Sequence, residues 1–195
     1  AGMVGLVSLE EVAEKCDIIT FHPTLNVEGA HCSYHLADTG FFDSLRRCRL
    51  FINASRGSVV DNRALLSALE DGRVGCAAID VWENEPEIDL SLLNKVYVAT
   101  PHIAGYSAEG KINATRMVLE AFARFIGYVA ELPQPQLDVP SCQVVEACSE
   151  QDALLAIYSP LDDTVMLKEA PLQFENLRNN YVLRREPSAY KIVIK

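Results

Sequence analysis

The sequence predicts an α/β fold in which a parallel sheet is covered by helices. Two observations carry this. From Ser8 to Gly127, short apolar runs alternate with helical patterns. Three of those runs end in polar phrases: Asn53-Ala54-Ser55-Arg56-Gly57, Asp80-Val81-Trp82-Glu83-Asn84-Glu85-Pro86 and Thr100-Pro101-His102-Ile103-Ala104-Gly105-Tyr106. Alternating strands and helices build a parallel sheet. Right-handed crossovers then bring all strand C-termini to one edge, where such sheets bind ligands. Residues far apart in sequence, His22, Arg56, Glu85 and His102, thereby come to a common edge.

The elements follow in order. Ser8 with Glu11 forms a capping-box signal for a helix whose apolar face is Leu9, Val12 and Ala13. Asp17 to His22 is a β-branched and aromatic run, read as a buried strand that Pro23 ends. Asn26 to His35 is polar and reads as a loop; Asp38 to Leu45 reads as a short helix, and Leu50 to Asn53 as the next strand. Asp61 to Leu69 is amphipathic, with Asp61 as N-cap and Gly72 as stop. Gly75 to Val81, small and apolar, suits a strand buried on both faces, and Val96 to Ala99 is the next strand. Ser107 to Ile126 is a long helix with Ile112, Thr115, Val118, Leu119, Phe122 and Phe125 on one side. A Pro-rich linker follows, Leu132-Pro133-Gln134-Pro135 and Val139-Pro140. Beyond it, Gln151 to Ile157 and Gln173 to Leu183 read as helices, the latter with Phe174, Leu177 and Tyr181 on one face, and Lys191 to Ile194 as a strand. The domain reading is therefore 1–105, a connecting helix over 106–130, and a small second domain over 131–195.

Composition excludes several function classes. The net charge of −10 argues against a general nucleic-acid binder, which needs clustered Lys and Arg on phosphates. It leaves room for an anionic small substrate held by a local Arg. No apolar run reaches the roughly 20 residues of a membrane helix. Ala1-Gly2-Met3-Val4-Gly5 shows no signal-peptide pattern, so a cytoplasmic location is expected. The six cysteines at 16, 32, 48, 76, 142 and 148 form no C-x-x-C pair and read as reduced thiols, with no metal site indicated.

The strand-end phrases supply the chemistry. A lone His after a Pro is more often a turn residue than a catalyst, but His102 follows a strand, and imidazole suits proton transfer near neutral pH. Glu85 alone reads as an ordinary loop acid among its neighbours Glu83 and Glu87. Beside an imidazole, such a carboxylate would fix the tautomer and favour the charged ring. Arg56 alone could bind a helix C-terminus; facing a cleft, its fork matches a carboxylate bidentately. The three become persuasive as a set because they sit at neighbouring strand ends.

These phrases resemble the signature phrases of the NAD-dependent D-2-hydroxyacid dehydrogenases, over a match running from about Ser8 to Gly127. The resemblance implies the distal half of a Rossmann-type nucleotide-binding domain. It implies that Arg56 binds the substrate carboxylate and C2 oxygen, that His102 takes the C2 hydroxyl proton, and that Glu85 holds His102. It also implies that Ala54, Ser55, Arg56, Asp80 and Gly105 line an NAD site. A narrower resemblance, to one branch of that family, rests on Trp82, on Gly105-Tyr106-Ser107-Ala108-Glu109-Gly110-Lys111 and on the tail from Phe174 to Glu186. It implies that Tyr106 contacts a small phosphorylated 2-hydroxy acid. It further implies that the tail belongs to a small α+β dimerisation domain, truncated here, giving a homodimer.

The sequence also departs from the family. It contains no G-x-G-x-x-G, and His22 is followed by Pro23-Thr24 where the family has Thr then Pro. The expectation is an N-terminally truncated member, inactive by itself. Alternatives that stay open at this stage are another D-2-hydroxyacid dehydrogenase, such as one acting on phosphoglycerate, a non-catalytic binding protein on the same fold, and a dimerisation fragment.

Overall fold

A computed structural model describes residues 5–128 and 143–195. The Pro-rich linker lies outside the described residues. The chain divides into two compact units, Ala1–Ile103 with Pro160–Asn180, and Ala104–Ser159 with Tyr181–Lys195.

The first unit opens with α1 (Leu9–Lys15), whose N-cap Ser8 accepts a hydrogen bond from the Glu11 amide at 3.2 Å. Strand β1 (Ile18–Phe21), α2 (Thr39–Ser44), β2 (Cys48–Asn53), α3 (Asn62–Glu70), β3 (Val74–Ile79), α4 (Leu90–Lys95) and β4 (Val98–Ala99) follow. The predicted cap Asp61 accepts from the amides of Arg63 and Ala64, and Asp38 caps α2 by accepting from the Phe41 amide. Gly72, at φ +76°, makes the left-handed turn after α3 that a side chain would resist.

The four strands are parallel in the order β1-β2-β3-β4. Their register decides the site. Phe21 is opposite Asn53, Asn53 opposite Ile79, and Ile79 opposite Ala99. The four strand ends thus form one row across the sheet, and the next row is His22, Ala54, Asp80 and Thr100. The core beneath is apolar and aromatic. Phe21 meets Phe41 edge-on at 5.5 Å and Phe51 at 5.4 Å, and Phe42 lies 5.3 Å from Phe51. Phe42, Phe51, Leu65 and Leu92 are fully buried.

Two strands are less enclosed than their composition predicts. In β1, Ile19 and Phe21 are buried while Ile18 is 61% exposed, because β1 is the edge of the described sheet and only one of its faces is covered. In β3, Val74, Ala77 and Ile79 are buried but Gly75 is exposed. Strand β2 starts at Cys48, earlier than the apolar run suggests, through its pairing with Val74.

The chain then leaves for the second unit as α5 (Ala108–Phe125), β5 (Gln143–Ala147) and α6 (Glu150–Ile157). It returns to the first unit as α7 (Pro160–Glu169) and α8 (Phe174–Asn179), and closes in the second with β6 (Tyr190–Ile194). The return differs from the sequence-based division at 131. Helix α7 supplies the missing partner of β4: the Thr164 hydroxyl accepts from the Ala99 amide at 3.0 Å, and Lys168 Nζ donates to the Val96 carbonyl at 2.8 Å. With Leu167 and Phe174 buried in the same core, residues 160–180 cover a sheet edge that would otherwise present open backbone groups. The helix read from Gln173 to Leu183 ends at Asn179; Phe174 and Leu177 pack as expected, but Tyr181 belongs to the second unit.

In the second unit, β5 and β6 pair in parallel, Gln143 opposite Tyr190 through Ala147 opposite Ile194. The N-terminus of α5 is pinned by the 184–186 strap. Ser107 Oγ donates to Glu186 Oε1 at 2.7 Å, and Glu109 pairs with Arg185 and accepts from the Glu186 amide at 2.9 Å. The apolar side of α5 stays open: Val118, Phe122 and Phe125 are all exposed. No helix among the described residues is long and apolar enough to cross a membrane.

Two predictions follow from titrating groups. Burial pushes the Cys48 thiol up to about 11, so at pH 8 only about a thousandth of it is the reactive thiolate. A thiol reagent should label exposed Cys32 and Cys148 in the native protein and reach Cys48 only after unfolding, as mapped by peptide mass spectrometry. Burial raises the Glu109 carboxyl, but the Arg185 guanidinium and the Glu186 amide outweigh it and hold it below its ordinary 4.5. A depressed carboxylate contributes stability above its unfolded pKa and loses it as pH falls through the folded one. Glu109→Gln should therefore be less stable than wild type at neutral pH, with the gap closing below pH 4.5 in urea titrations.

Candidate active site at the strand ends

The site grows from the row of residues just past the strands. After β2, Asn53 folds its side chain over the turn. Its Oδ1 accepts from the Ser55 hydroxyl at 2.8 Å and the Ser55 amide at 3.2 Å, while its Nδ2 donates to the Arg56 carbonyl at 3.1 Å. This rigid turn buries Ser55, half-buries Ala54 and leaves Arg56 exposed, with Nη1 donating to the Ser55 carbonyl at 2.6 Å. Gly57 is required next to it. A Cβ there would overlap the backbone of Trp82, so the β2 and β3 turns approach as only glycine allows.

After β3, buried Asp80 reaches across to the turn after β4. Its Oδ1 accepts from Thr100 Oγ1 at 2.6 Å and from the Ile103 amide at 2.7 Å, and its carbonyl accepts from the His102 amide at 2.8 Å. Trp82 Nε1 donates to the Thr100 carbonyl at 3.0 Å. These bonds hold His102 at φ +58°, a left-handed conformation costly for a residue with a side chain.

That conformation delivers the imidazole to Glu85. His102 Nδ1 lies 2.8 Å from Glu85 Oε2, and Glu85 Oε1 accepts from the Trp82 amide at 2.7 Å. Both side chains are largely covered, 26% and 18% exposed, so the pair is shielded enough to hold its geometry. An ionised carboxylate only accepts, so in the neutral form of the ring Nδ1 carries the proton and Nε2 keeps its lone pair.

The predicted set therefore sorts as follows. Arg56, Ala54, Ser55, Asp80, Glu85 and His102 lie on the C-terminal edge of one sheet, and Glu85 and His102 are in direct contact. His22 follows β1 on the same edge, its Nε2 2.8 Å from Thr20 Oγ1. Gly105 and Tyr106 belong to the second unit, where Lys111 Nζ sits 4.0 Å over the Tyr106 ring and Tyr181 meets it edge-on at 6.0 Å. Among the described residues no cluster of His, Cys, Asp or Glu could hold a metal ion.

The sequence reading missed a second imidazole–carboxylate contact. His35 Nε2 lies 2.6 Å from Glu83 Oε1, in a stretch read as loop and beside an acid read as incidental. No local signal announces it, since the partners are separated by 48 positions and neither follows a strand directly.

Residues 2–104 match the family profile of the D-isomer specific 2-hydroxyacid dehydrogenases, NAD binding domain. The chain belongs to this family. Among curated dehydrogenases, it is 50% identical over 194 residues to the erythronate-4-phosphate dehydrogenase of Bacteroides thetaiotaomicron, covering 98% of this chain and 55% of the relative. It is 43% identical to that of Proteus mirabilis, covering 95% and 52%. The chain spans about half the length of the curated relatives it matches. Among solved 2-hydroxyacid dehydrogenase folds, a glyoxylate reductase from Paecilomyes thermophila superposes with a TM-score of 0.53 at 29% identity, covering 62% of this chain and 36% of that one. D-mandelate dehydrogenase of Rhodotorula graminis gives 0.53 at 30%, covering 62% and 34%.

The close approach at Gly57 is testable by stability. Gly57→Ala should overpack the turn and cost about 1–3 kcal/mol in urea unfolding. Gly105→Ala, with nothing within 4 Å of an added Cβ, should stay within about 0.5 kcal/mol of wild type.

Proposed function

We propose that this chain carries one wall of the active site of an NAD-dependent 4-phospho-D-erythronate dehydrogenase. The reaction is oxidation of the C2 hydroxyl to give 2-oxo-3-hydroxy-4-phosphobutanoate, on the route to pyridoxal 5′-phosphate in the cytoplasm. The single observation that carries the reading is the 2.8 Å contact between His102 Nδ1 and Glu85 Oε2 at the strand-end edge. The substrate is read from the erythronate-4-phosphate dehydrogenases to which the chain is similar.

Each residue has a defined task. His102 Nε2, with its lone pair free of Glu85, takes the proton of the substrate's C2 hydroxyl. Glu85 keeps the ring in the required tautomer and stabilises the imidazolium that forms. Arg56 binds the substrate carboxylate and C2 oxygen; one of its donors is engaged at Ser55, and the others remain for the ligand. The ends of β2 and β4 are separated by β3, or about 10 Å of sheet edge. An extended Arg side chain and a small hydroxy acid bridge that distance. Bound NAD supplies the hydride acceptor for C2. The residues present suit the nicotinamide end of such a cofactor: the fixed backbone at Ala54 and Ser55, and the buried Asp80 carboxylate between the two turns. Tyr106 contacts the substrate and Gly105 lines the cofactor site in this reading. Two copies pair through the C-terminal segment, and the exposed Val118, Phe122 and Phe125 give an apolar face for association.

The test uses a polypeptide that carries this chain at the full length of the curated relatives. His102→Ala should lower kcat on 4-phosphoerythronate by about 10²- to 10⁴-fold, as loss of a general base does, with KM for NAD little changed. Glu85→Gln should also lower kcat, because an amide can donate to Nδ1 and turn the imidazole to the wrong tautomer. Unchanged turnover in either variant would contradict the assignment.

A further inference from the structure

We propose that His35 is a positioning residue for this site, acting through Glu83 on the turn that carries Glu85. The proposal rests on the reading of Glu85 and His102 as the acid–base pair.

Glu83 is held at both oxygens. Oε1 lies 2.6 Å from His35 Nε2, and Oε2 accepts from the Asn62 amide at 2.9 Å, where α3 begins. His35 is itself confined. Tyr34 stacks on its ring at 4.0 Å and 16°, its amide donates to the Ser58 carbonyl, and Asp61 Oδ2 lies 3.9 Å from Nδ1. Glu83 sits between Trp82, whose amide bonds Glu85, and Asn84, after which Glu85 reaches His102. A continuous path therefore runs from His35 through Glu83 and the turn to the Glu85–His102 contact.

Backbone conformation singles out the same path. Among the described residues, the non-glycine positions at positive φ are His35 at +48°, Asn84 at +58° and His102 at +58°. One begins the path, one is the turn between the two glutamates, and one ends it. A contact serving stability alone has no need of left-handed backbone at both ends of the path and at the turn between them. Such conformations persist where surroundings over-determine them and concentrate at functional sites. Gly57, packed against the Trp82 backbone, closes the turn from the other side. The turn is thus restrained from both sides.

Trp82, the chain's one tryptophan, reports on the turn, through its indole N–H bonded to Thr100. His35→Asn tolerates the left-handed backbone but is too short to reach Glu83; His35→Gln reaches it and can donate. In the full-length polypeptide, His35→Asn should displace and broaden the Trp82 indole signal and lower kcat by about 10- to 100-fold with KM little changed, and His35→Gln should restore both. Wild-type Trp82 signals in His35→Asn overturn the proposal. A displaced signal with unchanged kcat also overturns it, since His35 then serves stability alone. If His35→Asn does not fold, the isosteric Glu83→Gln is read by the same two measures. Absence of turnover in the wild type, with the Trp82 signal displaced in His35→Asn, contradicts the acid–base reading and leaves the coupling of His35 to the turn standing.

Discussion

The candidate site depends on the buried carboxylate of Asp80. It leaves the end of β3 and, through Oδ1, holds both Thr100 Oγ1 and the Ile103 amide. Charge-assisted bonds of this kind contribute roughly 1.5–3 kcal/mol each, enough to offset the left-handed backbone they impose on His102 between them. Without them the imidazole would relax away from Glu85, and the turn would lose its reason to follow this path. The sheet register supplies the other half of the constraint, because Asp80 can span to Thr100 only if Ile79 and Ala99 end their strands side by side.

 That side-by-side ending of Ile79 and Ala99 is what their pairing in β3 and β4 provides.

The neighbouring turns are fixed by different means. The β2 turn is organised by one side chain, Asn53, which satisfies Ser55 and the Arg56 carbonyl together. The β3 turn is pressed against it at Gly57 and tied to His35 through Glu83. The protein thus concentrates conformational cost in a few residues around Glu85 and His102, while the sheet below is ordinary apolar packing. Helix α7 belongs to that packing, because Thr164 and Lys168 finish the edge of β4 that the short strand leaves open.

Much of this is legible in the sequence because it is local. Caps at Ser8, Asp38 and Asp61, the stop at Gly72 and the strand-end position of Arg56, Asp80 and His102 all follow from neighbouring residues. The contact of His102 with Glu85 was inferable from topology, since adjacent strand ends must meet. What escaped is non-local and carried by single atoms. Nothing beside Thr164 in the sequence announces that its hydroxyl meets the Ala99 amide, which is why residues 160–180 read as part of a C-terminal domain. His35 and Glu83 looked like loop residues because neither periodicity nor capping registers a contact across 48 positions. The exposure of Ile18 likewise follows from its place at the sheet edge, which composition does not encode.

The most direct test of the account is the tautomer of His102, read from long-range proton–nitrogen correlations of the imidazole at a pH where the ring is neutral. The account predicts a proton on Nδ1, facing Glu85, and a lone pair on Nε2. A proton on Nε2 with Nδ1 bare would contradict it, because the ring would then have no base to offer the substrate.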